Sequence, residues 1–333
     1  MKAHPQAAVA LREMIFGHLI SQAVSTVAEL ALVDRLAEGP KTAAELAGEI
    51  GANPGSFGRF MSACRHLGLF TAREGGKYEV TELGRWLGSE RPTLRDLAIA
   101  LAAPGHWRTI EGLKHSVLTG RPAAEPNLGT DIWTYYGSNP EEGSVFASAM
   151  SNISAEVSEE VVARYDLSWA GMIVDVGGSH GVMLTRLLRA APAAKGILFD
   201  LPAVIAEARE RLEGPLRERI SPVAGDFFDE VPSGGDLYLL KTIIHDWDDE
   251  KALRILANCR KAAGPGSRLL LVERVTDVEP DPTDALADLL MMVILGGKER
   301  SRAEFEDLLA RSGWRLARVV PLTMHKLLEA VPA

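Results

Sequence analysis

The sequence predicts an α/β protein whose carboxyl-terminal half is a doubly wound, largely parallel sheet. Three apolar stretches support this fold class, at 172–181, 197–200 and 223–226, and each of them ends in small or acidic residues. Uninterrupted apolar runs are typical of strands buried on both faces, and the helical patterns between them make repeated βαβ units. Ligands of such sheets bind at the carboxyl ends of the strands, so we expect a binding site where these stretches end.

The first stretch ends in a glycine-rich turn at 175–181, with the sequence D-V-G-G-S-H-G. Glycine lets the backbone approach a ligand closely, and the amino terminus of the following helix adds partial positive charge. The other two stretches end in Asp200 and Asp226, which suit a ribose diol and an adenine amino group. The spacing departs from the G-x-G-x-x-G fingerprint of dinucleotide sites. Turn geometry and helix capping are the alternative, purely structural roles of these residues.

The glycine turn resembles the D-x-G-x-G-x-G turn of class I S-adenosylmethionine-dependent methyltransferases, with Ser179 in place of the middle glycine. Three further segments carry a closer resemblance: 236–249, which contains His-Asp-Trp-Asp-Asp, 269–274, and 296–300, which reads Gly-Gly-Lys-Glu-Arg. Together they resemble the small-molecule O-methyltransferase family of plant phenolic methyltransferases and bacterial antibiotic-pathway enzymes. The resemblance extends from about residue 10 to the carboxyl terminus.

This resemblance implies a Rossmann-like methyltransferase sheet, S-adenosyl-L-methionine as the cofactor and a role in secondary metabolism. It makes His245 the catalytic base, with Glu273 and Glu299 flanking and orienting it. The residues predicted to bind the methyl donor are Gly177, Gly178, Ser179, Gly181, Asp200, Leu201, Asp226, Phe227, Phe228 and Lys241.

His245 is also a candidate base on chemical grounds. A phenol has a pKa near ~10 and is mostly protonated at neutral pH, whereas an imidazole with a pKa of about 6.5 is a free base there. Removing the phenol proton during methyl transfer contributes roughly 10²–10⁴ in rate. A carboxylate from Glu273, Glu299 or both would fix the ring tautomer and stabilise the imidazolium. The alternative is that His245 is only a polar residue at a strand–helix junction.

The residues after His245 predict a helix over 247–263. Asp246 directly precedes this pattern and Asp249 lies three residues later, so we expect Asp246 to be the N-cap of the helix. Trp247 is expected to pack within the protein rather than to contact a ligand.

The first 95 residues predict a separate, mainly helical domain. Helical spacing covers 7–36, a capping-box pattern opens a helix at 42–50, another helix follows at 53–67, and a hairpin-like pair lies at 70–81. This order is a winged-helix pattern, which also fits a DNA-binding regulator. The balanced acidic and basic residues of 40–90 give no basic face and oppose that alternative. In the resembled family this module pairs with its copy, so the resemblance implies a homodimer.

We expect residues 96–160 to form a helical linker that contributes to the substrate pocket, and residues 161–333 to form the S-adenosylmethionine-binding catalytic domain. The side chains predicted to contact a small aromatic substrate are Trp107, Tyr136, Phe146, Met150, Met291 and Met292. Helix packing is the alternative role of each one. The last part of the chain, 314–321 and 325–331, predicts a final strand pair.

Composition fits an enzyme of this size. The chain has 333 residues, a net charge of −9 and 47% hydrophobic residues. The negative charge opposes a nucleic-acid partner held by phosphate neutralisation. Neither a membrane-length apolar run nor a signal segment is visible, so we expect a cytoplasmic protein. Cys64 and Cys259 are expected to be buried free thiols in different domains, and no Cys/His cluster predicts a metal site.

The sequence thus predicts a dimeric methyltransferase that acts on a hydroxyl group of a small aromatic metabolite. Three alternatives stay open. The first is a nitrogen-methylating member of the same family, for which His245 matters less. The second is a member that binds the donor but catalyses other chemistry, such as hydroxylation or decarboxylation. The third is the winged-helix regulator.

Overall fold

The computed structural model describes residues 5–212, 214–276 and 282–333. The chain divides into two compact units: unit 1 comprises Met1–Trp107 and Tyr135–Asn152, and unit 2 comprises Arg108–Thr134 and Ile153–Ala333. The three-part division expected from the sequence, with boundaries at 95/96 and 160/161, stays a prediction.

The helices are α1 (Pro5–Ile15), α2 (Gly17–Glu29), α3 (Leu32–Arg35), α4 (Ala43–Ile50), α5 (Pro54–His66), α6 (Glu82–Arg85), α7 (Arg95–Ala102), α8 (Pro104–Glu111), α9 (Leu113–Thr119), α10 (Ala124–Leu128), α11 (Ile132–Ser138), α12 (Pro140–Arg164), α13 (Val182–Ala190), α14 (Pro202–Arg211), α15 (Asp249–Ala262), α16 (Pro282–Ile294) and α17 (Arg302–Arg311). The strands are β1 (Lys41–Thr42), β2 (Phe70–Arg73), β3 (Lys77–Val80), β4 (Met172–Val176), β5 (Lys195–Asp200), β6 (Ile220–Ala224), β7 (Leu237–Lys241), β8 (Arg268–Glu273), β9 (Trp314–Pro321) and β10 (Lys326–Pro332).

Unit 1 has the predicted winged-helix pattern. The Thr42 side chain accepts a hydrogen bond from the backbone N–H of Glu45, and the Glu45 side chain accepts one from the backbone N–H of Thr42, so the predicted capping box begins α4. Asn53 caps α5 in the same way, by accepting from the backbone N–H of Ser56. Strands β2 and β3 pair as an antiparallel hairpin, and β1 adds to β3. The core of this unit includes Met61, which is fully buried.

The first two helices of unit 1 leave much apolar surface uncovered. Met14 is 76% exposed and Phe16 is 55% exposed. The exposed apolar side chains of this face are Val9, Leu11, Met14, Ile15, Phe16, Leu19 and Ile20. Val27, by contrast, is fully buried in the core of the unit. A group of exposed large apolar side chains of this kind marks an interaction surface in a folded protein.

Unit 2 contains a seven-stranded sheet of order β6-β5-β4-β7-β8-β10-β9. Strands β4 to β8 run parallel, while β10 is antiparallel to both β8 and β9. The final strand pair is therefore confirmed. The strand order turns back at β4, which pairs with β5 on one side and β7 on the other. This reversal is the topological switch point, where doubly wound sheets bind ligands.

The central strands are buried on both faces, as their continuous apolar sequences require. In β4, Ile173, Val174 and Val176 have no exposed surface, and β7 buries Leu237 to Leu240. Two apolar clusters, one on each face of the sheet, divide these side chains between them. Cys259 is buried in one of these clusters and Cys64 in the core of unit 1, both as free thiols, as predicted. No helix in the described ranges has the length and apolarity to cross a membrane.

Candidate active site

The glycine turn lies at the switch point, directly after β4. Gly177 and Gly181 have φ angles of 71° and 74°, in the left-handed region that glycine adopts without strain. Ser179 has a φ of 52°. The serine that replaces glycine in the motif therefore keeps a glycine-like conformation, at a cost of roughly 1–2 kcal/mol.

The turn also requires glycine at its second position. A Cβ atom at Gly178 would lie 2.5 Å from the Leu198 side chain and 2.7 Å from that of Asp175. The backbone N–H of Gly177 donates to the carbonyl oxygen of Phe199 at 2.8 Å, which joins the turn to β5. The local geometry thus brings bare backbone to the carboxyl edge of the sheet.

Asp200 ends β5 beside this turn. Its Oδ2 accepts the backbone N–H of Ser179 at 2.8 Å, and its Oδ1 accepts that of Leu201 at 2.7 Å. Each carboxylate oxygen keeps a lone pair for a further donor. Burial raises the pKa of Asp200, and the two backbone N–H groups oppose that rise. Leu201, the N-cap residue of α14, is half exposed.

Asp226 and the two following phenylalanines form a third part of this edge, after β6. Asp226 Oδ1 accepts the backbone N–H of Phe228 at 2.8 Å. Phe227 and Phe228 meet edge to face, 4.9 Å apart between ring centroids, and Phe228 meets Trp247 in the same way at 4.8 Å. Asn258 Nδ2 donates to the carbonyl oxygens of Phe227 and Phe228 at 2.9 Å each. Trp247 therefore packs against aromatic side chains, as expected.

A buried carboxyl group, Asp175, and a partly buried ammonium group, Lys241, lie at the switch point. Burial raises the pKa of Asp175 to about 7, the nearby Asp200 adds to the rise, and Lys241 opposes it. Burial lowers the pKa of Lys241, against the attraction of Glu273, Asp175 and Asp246. Lys241 Nζ donates to the hydroxyl of Thr242 at 2.7 Å. Lys241 is partly buried, and its assignment to the donor site stays a prediction.

His245 lies on a short 3₁₀ turn, Ile244–Asp246, after β7, and its side chain is 14% exposed. The Nδ1 atom is 2.9 Å from Glu299 Oε1, and the Nε2 atom is 3.3 Å from Asp246 Oδ1. Burial lowers the pKa of His245, but the charges of Asp246, Glu273 and Glu299 outweigh burial and raise the pKa to about 9. The imidazole is therefore bracketed by carboxylates and is a stronger base than a free histidine.

The two glutamates expected to orient His245 have different contacts. Glu299 contacts the ring directly. Glu273 Oε1 instead accepts the backbone N–H groups of Ile243 and Ile244, at 3.0 and 2.8 Å. Burial raises the pKa of Glu273 to about 7, while the charge of His245 opposes the rise. Glu273 thus acts on His245 through charge and through the backbone of the turn.

Asp246 is not the N-cap of the following helix, so that prediction is wrong. Helix α15 begins at Asp249, and Asp248 caps it by accepting the backbone N–H of Lys251 at 2.9 Å. The 3₁₀ turn continues through Asp246, which delays the helix and leaves the Asp246 carboxylate beside His245. Burial raises the pKa of Asp246 to about 6, and the charge of His245 opposes the rise.

The residues predicted to form the substrate pocket fall in both units, so their joint role stays a prediction. Met291 and Met292 lie on α16 in unit 2, and the other four belong to unit 1. Within unit 1, Tyr136 and Phe146 stack at 5.0 Å. Sequence reasoning missed His106, whose Nδ1 is 2.8 Å from the Tyr136 hydroxyl. Burial lowers the pKa of His106 to about 4, so this ring is neutral at physiological pH. The sequence signal that could have drawn attention to His106 is its position directly before Trp107, a predicted pocket residue.

The glycine turn and the carboxylates lie on one side of the switch point, and an imidazole in contact with carboxylates lies on the other. An enzyme needs these groups to hold a nucleoside cofactor beside a proton acceptor. The molecule accordingly has the make-up of a nucleoside-dependent group-transfer enzyme. Among the described residues, no cluster of three or more His, Cys, Asp or Glu side chains is arranged to hold a metal ion.

Comparison with known proteins identifies the family. An O-methyltransferase domain matches residues 110–315, and an O-methyltransferase dimerisation domain matches residues 12–90. The chain therefore belongs to the O-methyltransferase family. The predicted enzyme class, with S-adenosylmethionine as methyl donor, is confirmed, and the predicted fold class with it.

Individual relatives are similar over almost the whole chain. Phenazine O-methyltransferase PhzM of Lysobacter antibioticus is 37% identical, over 97% of this chain and 95% of its own. The mitomycin biosynthesis 6-O-methyltransferase of Streptomyces lavendulae is 36% identical, over 93% and 90%. A crystal structure of the O-methyltransferase NcsB1 from neocarzinostatin biosynthesis, in complex with S-adenosylmethionine and 2-hydroxy-5-methyl naphthoic acid, has a TM-score of 0.82 at 34% identity, covering 94% of this chain and 96% of that one. Relatives also include a phenazine-1-carboxylate N-methyltransferase of Pseudomonas aeruginosa, 31% identical over 95% and 94%.

Proposed function

We propose that this enzyme methylates a hydroxyl group of a small aromatic metabolite and that His245 is its general base. One observation carries the proposal: a nearly buried imidazole at the switch point has one ring nitrogen on the carboxylate of Glu299. The arrangement supports a proton acceptor whose orientation is fixed. The acceptor class is supported by the relatives, whose names include a phenazine and a hydroxynaphthoate substrate.

The donor site is proposed to lie along the carboxyl edge of β4, β5 and β6. The glycine turn would hold the amino-acid part of the donor, Asp200 the ribose diol, and Asp226 with Phe227 the adenine. The complete proposed set is Gly177, Gly178, Ser179, Gly181, Asp200, Leu201, Asp226, Phe227, Phe228 and Lys241.

The residues present fit such a ligand. The turn at Gly177 and Gly178 leaves no room for side chains, since a Cβ at Gly177 would be 2.6 Å from Ile243, and the backbone of both glycines keeps some exposed surface for a ligand. Asp175 Oδ2 is buried without a hydrogen-bond partner among the residues described. Bound S-adenosylmethionine supplies a methyl group that is electrophilic because it is attached to a sulfonium. The remaining chemistry, proton removal and alignment, belongs to the residues of the chain.

The raised pKa of His245 matters for that chemistry. Proton transfer from a phenol with a pKa near ~10 to an ordinary imidazole is uphill by roughly three to four pKa units. With the pKa of His245 raised to about 9, the proton is shared on nearly equal terms. Nε2 of His245 would accept the phenol proton while the methyl–oxygen bond forms and the methyl–sulfur bond breaks, with the sulfur leaving as a neutral thioether, and Glu299 would stabilise the imidazolium at Nδ1. Asp246, now 3.3 Å from Nε2, must give way to the incoming hydroxyl.

The proposed assembly is a homodimer built on the apolar face of α1 and α2. The match to a dimerisation domain covers this region from residue 12 onward. The exposure of Met14, Phe16 and Leu19 supports a partner surface there. A second copy of the chain is the partner that the family match indicates, and C₂ symmetry is the usual arrangement.

The decisive experiment is the substitution His245→Gln, which keeps hydrogen-bonding capacity but removes the base. Turnover of an ordinary phenol at neutral pH should fall by roughly 10²–10⁴. The loss should shrink as the pH approaches ~10, and for an acidic phenol that is already ionised. Calorimetry should show unchanged donor affinity, because His245 is assigned to the acceptor. An equal loss at every pH and with every phenol would show that His245 has a structural role only.

Nitrogen methylation is the second candidate, because N-methyltransferases occur among the relatives. An amine that is neutral at working pH needs no base before it attacks the methyl group. Under this candidate, aromatic amines would be methylated faster than matched phenols, and His245→Gln would leave that activity intact. Assaying phenol and aniline pairs with labelled donor distinguishes the two candidates.

A further inference from the structure

The segment 297–300 contacts the backbone of the turn that carries His245, which comprises residues 243–247. The backbone N–H of Lys298 donates to the carbonyl oxygen of His245 at 3.0 Å. A Cβ atom at Gly297 would lie 2.0 Å from that same oxygen and 2.5 Å from the carbonyl carbon of Asp246. The two backbones are therefore packed against each other at a distance that only glycine permits.

Arg300 extends this contact with its side chain, which has no exposed surface. Its Nη1 donates to the carbonyl oxygen of Ile244 at 2.9 Å, and its Nη2 donates to that of Trp247 at 2.8 Å. The same guanidinium pairs with Asp249 Oδ1, through Nε at 3.0 Å and Nη2 at 2.8 Å. One planar group thus joins the residue before His245, the second residue after it and the start of α15.

Glu273 binds the backbone N–H groups of the same turn, whereas Arg300 binds its carbonyl oxygens. Its Oε1 accepts the N–H groups of Ile243 and Ile244, while Arg300 donates to the carbonyls of Ile244 and Trp247. The backbone of the turn is therefore fixed by one buried acceptor and one buried donor group. Among the described residues, the side chain of His245 adds the contacts of its ring to Glu299 and to the adjacent Asp246.

From this geometry we propose that Arg300 is a positioning residue for His245: it fixes the backbone from which the imidazole projects towards the acceptor hydroxyl. The inference rests on the proposed function, since it needs His245 to be the base. Lysine keeps the charge but has no planar fork, so it cannot serve two carbonyls and a carboxylate together. A shift of the ring by about 1 Å is enough to slow a positioned reaction by up to roughly 100-fold.

The test compares Arg300→Lys with a matched control, Arg219→Lys. Arg219 also donates to backbone carbonyls, those of Leu188, Ala191 and Ala194, but it lies directly before β6, and none of these hydrogen bonds involves the His245 turn. Both variants should lose stability in thermal unfolding. Only Arg300→Lys should lower kcat for an ordinary phenol, by roughly 10- to 100-fold, with donor affinity unchanged and little loss for an acidic phenol.

A double variant separates positioning from general damage. If Arg300 acts through His245, adding Arg300→Lys to His245→Gln should cause no further loss of kcat. Asp249→Asn, which keeps Arg300 but weakens its carboxylate contact, should give a smaller loss of the same kind and serves if Arg300→Lys fails to fold. Equal kcat in Arg300→Lys and Arg219→Lys, or additive losses in the double variant, would overturn the positioning role alone. Full activity of His245→Gln would overturn the proposed base and this inference together.

Discussion

In most proteins apolar side chains are buried and charged side chains are exposed, and the two units of this enzyme depart from this rule in opposite ways. Unit 1 leaves apolar side chains exposed on α1, on α2 and between them, including Met14 and Phe16. Unit 2 buries charged groups at the edge of its sheet, including Glu273, Glu299 and Arg300. Exposed apolar surface indicates a partner, whereas buried charge is costly and is kept where chemistry or positioning needs it. In each unit, the residues that break the usual rule of burial indicate the role of that unit. The exposed apolar residues of unit 1 indicate association, and the buried charged residues of unit 2 indicate catalysis.

The largest effect is expected from charging the exposed face of unit 1. Phe16→Asp would bury an unpaired carboxylate in a dimer interface, at a cost of about 4 kcal/mol or more, which corresponds to roughly 10³-fold weaker association. Analytical ultracentrifugation should show a monomer. Leu83→Asp, at a similarly exposed apolar position on α6, is the control and should stay dimeric. A dimeric Phe16→Asp enzyme would show that this apolar face has another purpose.

The next effect concerns the donor. Asp200→Ala should weaken S-adenosylmethionine binding by tens of fold or more. The variant would lose the two hydrogen bonds that the ribose diol is proposed to donate to the carboxylate, and hydrogen bonds to a charged acceptor are worth about 1.5–3 kcal/mol each. Asp236→Ala is a matched control, since Asp236 Oδ2 also accepts two backbone N–H groups, those of Gly171 and Met172, at the opposite end of β4. Calorimetry should show a loss of affinity only for the Asp200 variant. Comparable losses in both would assign Asp200 a structural role.

A smaller, diagnostic effect concerns pH. Glu299→Gln removes one of the three carboxylate charges, with those of Asp246 and Glu273, that together raise the pKa of His245 to about 9. The imidazolium then loses its proton at lower pH, so the rise of kcat/KM with pH should move to lower pH. Glu329→Gln removes a buried carboxylate paired with Arg268 and Arg318 and should leave the profile unmoved. If the pH dependence of kcat/KM is the same in Glu299→Gln as in the unmodified enzyme, the rise of kcat/KM with pH does not report the titration of His245.

The smallest effect tests whether the units are stabilised independently. Each contains a capping box, Thr42 with Glu45 in unit 1 and Ser301 with Glu304 in unit 2. Thr42→Ala and Ser301→Ala should each lower the free energy of unfolding by about 1 kcal/mol. Neither should change kcat. Scanning calorimetry then shows whether each variant shifts a separate transition or both shift one common transition, which would contradict independent stability.

The elements were predictable where the signal is local. The capping box at Thr42, the order of helices and hairpin in unit 1, and the final strand pair follow from periodicity and turn residues, and the structure contains them. The inclusion of 135–152 in the same unit as 1–107 was not predicted. It depends on tertiary packing between segments distant in sequence, which no local pattern records.

In the candidate site, too, some residues could be predicted from the sequence and others could not. Asp200 stood out because it ends an apolar stretch, at an edge where strands of a doubly wound sheet present their ligands, whereas His245 was singled out by the family resemblance and by the chemistry of its imidazole. Arg300 belonged to a segment that the resemblance singled out, yet its partners at Ile244 and Trp247 are more than fifty residues away. The wrong N-cap at Asp246 has the same origin, because contacts to Glu273 and Arg300 hold a 3₁₀ turn that local capping preferences do not anticipate.

The carboxylates around His245 have a consequence for regioselectivity. An imidazole whose pKa is raised to about 9 takes a proton most completely from a hydroxyl whose own pKa is at or below that value. The hydroxyl that ionises most readily is therefore deprotonated by His245 at the lowest cost. For a polyhydroxylated aromatic with several groups of similar reach, ring substituents that withdraw electrons would therefore direct methylation to the position they acidify.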